Sequence, residues 1–117
     1  AFDGAWGAFS AAERGRLLTD LARKLAQHEA ELAALEARDT GKPLSQAHAD
    51  ARAIARYFEF YAGAADKLHG QTIPYPEDTT VLTVREPHGV TAHIIPWNYP
   101  MQIVGRSVGA ALAAGHA

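Results

Sequence analysis

Val90-Thr91-Ala92-His93-Ile94-Ile95-Pro96-Trp97-Asn98-Tyr99-Pro100 is a short apolar run that passes through a doubly prolined loop into a new helical stretch. The part from Val90 to Ile95, bounded by Gly89 and Pro96, has the pattern of a buried strand. Met101 to Ala114 returns to helical periodicity, so the order is strand, loop, helix. Ligands of open α/β sheets bind where a loop leaves the carboxyl end of a strand. Pro96 and Pro100 stiffen this loop, and between them stand a large aromatic, Trp97, and a primary amide, Asn98. Two readings follow from the pattern. Either the loop presents a hydrogen-bond donor to a ligand, or Trp97 packs in the core and Asn98 caps the next helix.

Upstream, Pro74 and Pro76 forbid helix and Thr79 to Arg85 alternates with β-branched residues, which predicts a hairpin with arms Gln71 to Tyr75 and Thr79 to Arg85. Before it the period is helical. Ser10 and Glu13 match a capping box, and Leu17, Leu18, Leu21 and Leu25 form a stripe opposite Arg14, Arg16, Arg23 and Lys24. A second helix from Glu29 to Arg38 is expected to bury Leu32 and Leu35 and to stop at Gly41, where glycine takes a left-handed backbone without penalty. Pro43 suits the first turn of a third helix, Leu44 to Leu68, whose Ile54, Tyr57, Phe58, Tyr61, Ala65 and Leu68 keep the period. Phe60 is grouped with these aromatics as core, and Gly105 and Gly109 predict close helix packing.

The 117 residues are 48% hydrophobic and 21% charged, with a formal net charge of −2. That composition is globular, without a basic footprint for nucleic acid or a polybasic membrane patch. No apolar run reaches the roughly 20 residues of a membrane span, and Ala1 to Gly7 lacks the basic start of a leader, so the expected compartment is cytoplasmic. There is no cysteine, hence no disulfide, thiolate ligand or thiol nucleophile in these residues. The six histidines lack paired ligand spacing on a helix, and no metal site is expected. Gly41-Lys42 has Glu36 and Pro43 where a phosphate-binding loop needs glycine and Ser/Thr.

Three stretches carry a family resemblance. Glu86-Pro-His-Gly-Val90 with Ile94-Ile-Pro-Trp-Asn-Tyr-Pro100 and Ala110-Ala-Leu-Ala-Ala-Gly115, Arg38-Asp-Thr-Gly-Lys-Pro-Leu44, and Tyr61-Ala-Gly63 with Asp66-Lys-Leu-His-Gly70 resemble, in order and spacing, landmarks of the aldehyde dehydrogenase superfamily. The resemblance implies oxidation of an aldehyde to a carboxylic acid through a cysteine thiohemiacetal, with NAD or NADP as cofactor. It implies that Asn98 is the oxyanion donor, that Ile94, Ile95, Pro96 and Trp97 form the cofactor wall, and that Tyr99, Ile103 and Arg106 line the substrate tunnel. It implies a homo-oligomer using the hairpin, and for Asp39 a structural cation contact in some members, although a plain helix-end role fits that residue better.

The architecture expected is α/β: amino-terminal helices over residues 1–70, an oligomerisation hairpin over 71–86, and over 87–117 the first strand, loop and helix of a Rossmann-like cofactor domain, incomplete. The start without Met and the end at Ala114-Gly115-His116-Ala117 read as an amino-terminal fragment cut at both ends, the family's nucleophile lying outside it. The alternatives are a catalytically inactive scaffold relative and a helical interaction domain. Ser107, Ala110 and His116 depart from the lysine, proline and asparagine usual at those places.

Overall fold

The computed structural model describes residues 4–117; the first three residues of the Ala1 to Gly7 stretch lie outside the described residues. After a short turn of helix, α1 (Ala5–Ala8), come three long helices, α2 (Ala11–Gln27), α3 (Glu29–Thr40) and α4 (Leu44–Ala64). A two-stranded antiparallel hairpin, β1 (Thr72–Ile73) with β2 (Val81–Leu82), follows, and α5 (Pro100–Ala113) closes the order.

Local chemistry sets the helix ends. Ser10 Oγ accepts the Glu13 N–H while the Glu13 carboxylate accepts the Ser10 N–H at 2.8 Å, the reciprocal box that starts α2. Gly41 ends α3 at φ 75°, in the left-handed region open to glycine. Pro43 stands one residue earlier than expected, as the cap of α4 rather than in its first turn.

The core lies where α2, α3 and α5 meet α4. Leu18 and Ala22 of α2, Ala33 of α3, Ala47, Ala51, Ile54, Phe58 and Ala62 of α4, and Met101 and Ala113 of α5 are buried together. Two glycines let α5 come close: a Cβ on Gly105 would stand 2.9 Å from the Tyr57 ring, and one on Gly109 3.0 Å from the Tyr61 ring. Close packing was the expectation for this pair, and it makes α4 the platform for α5.

Several expectations are corrected. Leu35 is 51% exposed, because α3 turns Ala33 and Glu36 inward instead. Leu17 and Phe60 are also exposed, each rotated out of the face shared by Leu18 and by Phe58. The third helix ends at Ala64; Ala65–Lys67 tighten into a 3-10 turn, which leaves Leu68 exposed. The hairpin forms in the expected place but pairs only Thr72 with Leu82 and Ile73 with Val81.

No buried strand forms over Val90 to Ile95. Val90 is 79% and Ile94 98% exposed, because a strand needs partners and among the described residues only the chain's end offers one. The Ala117 N–H donates to Gly89 O at 2.9 Å, and the Thr91 N–H donates to Ala117 O at 2.6 Å. That alternation, with residues 89 and 91 bonded to a single residue opposite, is the bonding of a parallel pair centred on Val90 and Ala117.

The described chain is more open than a closed domain. Its radius of gyration is 17.7 Å, against about 13 Å for a compact domain of this length.

Candidate active site

The loop before α5 is built from both sides. Tyr99 caps the helix with no side-chain bond, and Pro100 occupies the first turn, where its missing N–H has no consequence. The Met101 N–H, one of the free donors of that turn, is taken by the Glu36 carboxylate of α3 at 3.3 Å. Gln102 Nε2, one residue on, donates to Asp50 Oδ1 of α4 at 2.6 Å.

Both carboxylates are buried, Glu36 at 4% and Asp50 at 2% exposure, and the Lys42 ammonium lies between them. It donates to Asp50 Oδ2 at 2.5 Å and also to Glu36 Oε1. The same nitrogen stands 4.6 Å from the centre of the Tyr99 ring, in reach of a cation–π contact. Tyr99 is held again at its hydroxyl, which accepts from Gln46 Nε2 at 3.0 Å.

Burial pushes the Glu36 carboxyl above its ordinary value, against the lowering effect of Lys42 and with a further upward push from Asp50. Burial opposes ionisation of Asp50 too, but hydrogen bonds from Lys42 and Gln102 and the contact with Glu36 bring it below its ordinary value. For Lys42, burial favours the neutral amine, yet the hydrogen bonds to Asp50 and Glu36 outweigh it and hold the ammonium above its ordinary range. Such a buried set is weak support for stability as such, since desolvation offsets much of the attraction. Its effect is geometric: it joins the ends of α3 and α4 to the first turn of α5.

Asn98 stands at the front of this frame. It is exposed, it is not the helix cap, and no hydrogen bond engages its amide among the described residues. With Trp97 and Tyr99 it borders an open recess of about 210 Å³ whose other wall is Thr40, Lys42 and Gln46. The core-and-cap reading of the loop is therefore set aside, because Trp97 is 78% exposed and Tyr99, not Asn98, occupies the cap.

The remaining expected residues fall in two groups. Ile94, Pro96 and Trp97 are exposed and Ile95 is half-buried, so large apolar side chains lie open where the segment enters the loop. Ile103 and Arg106 stand one turn apart on α5, outside the recess. Arg106 Nε donates to the Tyr57 hydroxyl at 2.8 Å, its guanidinium is 5.2 Å from the Tyr57 ring centre, and it donates to Gln102 Oε1 at 3.1 Å. One turn beyond Ile103, the buried Ser107 hydroxyl has no partner.

Sequence reasoning assigned no site role to Glu36, Asp50, Gln102 or Gln46, placed Tyr57 only in the core stripe of its helix, and marked Lys42 only as part of a motif. One signal was present: Asp50 sits among Ala47, Ala51 and Ile54, an acid inside an apolar helical stripe.

The family model described as Aldehyde dehydrogenase family matches residues 1–117. The chain belongs to the aldehyde dehydrogenase family. It is 48% identical over 118 residues to "Aldehyde dehydrogenase family 2 member B4, mitochondrial" of Arabidopsis thaliana, covering 99% of this chain and 22% of that protein. A crystal structure from Burkholderia cenocepacia superposes on all of the chain with a TM-score of 0.96 and 74% identity, over 25% of its own length. The NAD+ complex of an aldehyde dehydrogenase from Bacillus cereus matches 97% of the chain at a TM-score of 0.93 and 43% identity, over 23% of its own length. The chain thus spans about a quarter of the length of these aldehyde dehydrogenases, and its helices and small hairpin match a part of their fold. Among the described residues no helix is long and apolar enough to cross a membrane.

Proposed function

We propose that these residues are the amino-terminal part of an NAD(P)-dependent aldehyde dehydrogenase, and that Asn98 donates a hydrogen bond to the aldehyde oxygen as negative charge develops on it. The observation that carries this reading is the unengaged amide of Asn98, held between two prolines and in front of a helix whose first turn is braced by Glu36 and Asp50.

In the reaction of this class a cysteine thiolate adds to the carbonyl carbon, a hydride leaves, and water hydrolyses the thioester to the carboxylic acid. The first step moves an electron pair onto the carbonyl oxygen, and a preorganised amide donor there stabilises the transition state more than the ground state. The thiolate must come from outside these residues, which contain no cysteine. By themselves the 117 residues are therefore inactive.

The exposed Ile94, Pro96 and Trp97 and the half-buried Ile95 offer apolar side chains suited to one wall of a nicotinamide cofactor, NAD or NADP. When bound there, the cofactor supplies the hydride acceptor. Tyr99, Ile103 and Arg106 are assigned to the aldehyde's path, and the exposed Ile73, Tyr75, Leu82 and Val84 of the hairpin region to assembly of a homo-oligomer. Residues 1–70, 71–86 and 87–117 correspond in this reading to the helical, oligomerisation and cofactor parts. The compartment assigned is the cytoplasm.

The test is Asn98→Ala and Asn98→Asp in the longer protein that carries this segment. Loss of the donor is expected to lower kcat on the order of 100–1000-fold. NAD(P)+ affinity should be unchanged. The aspartate, which places a carboxylate against the forming oxyanion, should be at least as harmful as alanine. A variant that turns over at the parental rate once saturated, whatever its melting behaviour, would overturn the assignment.

A further inference from the structure

Tyr99, Met101 and Gln102 follow Asn98 within four residues, and each is held by the ion cluster of α3 and α4: the Tyr99 ring under Lys42, the Met101 N–H by Glu36, the Gln102 amide by Asp50. Lys42 is the one group that touches all of these supports, since its ammonium is bonded to both carboxylates and faces the ring. Its side chain is only 8% exposed, and two of its three ammonium donors are taken by Glu36 and Asp50.

We propose that Lys42 is the positioning residue for Asn98, acting through Glu36, Asp50 and Tyr99 to hold the Pro96–Pro100 turn at the place where the amide meets the substrate oxygen. This rests on the oxyanion reading of Asn98. The physical ground is tolerance: a displacement of about 1 Å in a catalytic group can cost on the order of 100-fold in rate. A loop with exposed side chains from Pro96 to Tyr99 has little core contact of its own to keep that tolerance. The cluster supplies it from outside the loop. Lys42 is thus separated in sequence from the residue it serves, and its charge is used to fix two carboxylates rather than to bind a phosphate.

The test is a double-mutant cycle in the longer enzyme, reading kcat and NAD(P)+ affinity. Lys42→Met is expected to lower kcat roughly 10–100-fold with NAD(P)+ affinity retained. In an Asn98→Ala background the same substitution should lower kcat by no more than about twofold, because there is no donor left to misplace. A purely structural role would give the same factor in both backgrounds, and that result overturns the proposal. Because Lys42→Met leaves two buried carboxylates facing each other, Gln102→Leu provides the same comparison with the ion cluster intact. Its loss, smaller than that of Lys42→Met, should also vanish when Asn98 is alanine; an equal loss in both backgrounds counts against the proposal. If Asn98→Ala leaves kcat at the parental value, the oxyanion reading falls and this one with it. If Asn98→Ala is severe and the Lys42→Met loss adds in full, only the assignment of Lys42 falls.

Discussion

The helical part, residues 11–64, and the segment 71–99 differ in where they put their apolar side chains. In the first, Leu18, Ala33, Ile54 and Phe58 meet in one core, which Met101 and Ala113 of α5 complete. In the second, Gly89 alone is buried, while Leu82, Val84, Val90, Ile94 and Trp97 face outward. A segment with so little self-contact keeps its shape by being tied to a part that has more. The difference locates the tie: it is the polar cluster around Lys42, together with the glycine-mediated seat of α5 on α4.

Breaking the tie at its most buried point should have the largest effect. Asp50→Ala leaves Lys42 facing Glu36 alone and strips Gln102 of its acceptor, and the loss of one partner of a buried ion pair costs roughly 3–5 kcal/mol. Chemical denaturation of the chain should show a midpoint lowered accordingly; an unchanged midpoint would mean that the cluster is solvated in solution. Next comes the seat of α5. The Cβ of Gly105→Ala would sit 2.9 Å from the Tyr57 ring, an overpacking expected to cost about 1–3 kcal/mol, and the same measurement would register it. The smallest effect belongs to the open segment. Ile94→Ser, at a side chain 98% exposed, should stay within roughly 0.5 kcal/mol in the 117-residue chain. Repeating it in the longer protein sharpens the comparison: a larger loss there would show that Ile94 is covered by chain or cofactor that the shorter piece lacks.

What could be read from the sequence was whatever is decided within a few residues. Ser10 and Glu13 form their box, Gly41 takes the left-handed turn, and Pro74 and Pro76 exclude helix between the hairpin's two arms, each for reasons contained in its own neighbourhood. The loop's prolines and its amide were legible for the same reason. Its braces were not, because Glu36, Asp50 and Gln102 converge from three helices and Lys42 from the connection between α3 and α4, and no local pattern pairs them. Leu35 misled because apolarity marks a tendency to be buried, whereas the small Ala33 and the ion-paired Glu36 decided which face of α3 could come close to α4. Val90 to Ile95 misled differently. Its apolar content was real, but the burial of a strand is a property of its neighbours.

The parallel pairing of Val90 with Ala117 also bears on the time course of folding. Parallel strands are slow to pair when the chain between them is long and floppy, since the ends must find each other at the expense of loop entropy. Here about half of the intervening chain is α5, which elongates on a scale of nanoseconds per residue and reaches from Pro100 to Ala113, leaving residues 91–99 before it and a short turn before Ala117. Trp6 Nε1 donates to His116 O at 2.8 Å, so the chain's first helix pins the end of that turn. The loop this contact closes is thus shorter in effect than its separation in sequence implies, and its far end is held by Trp6.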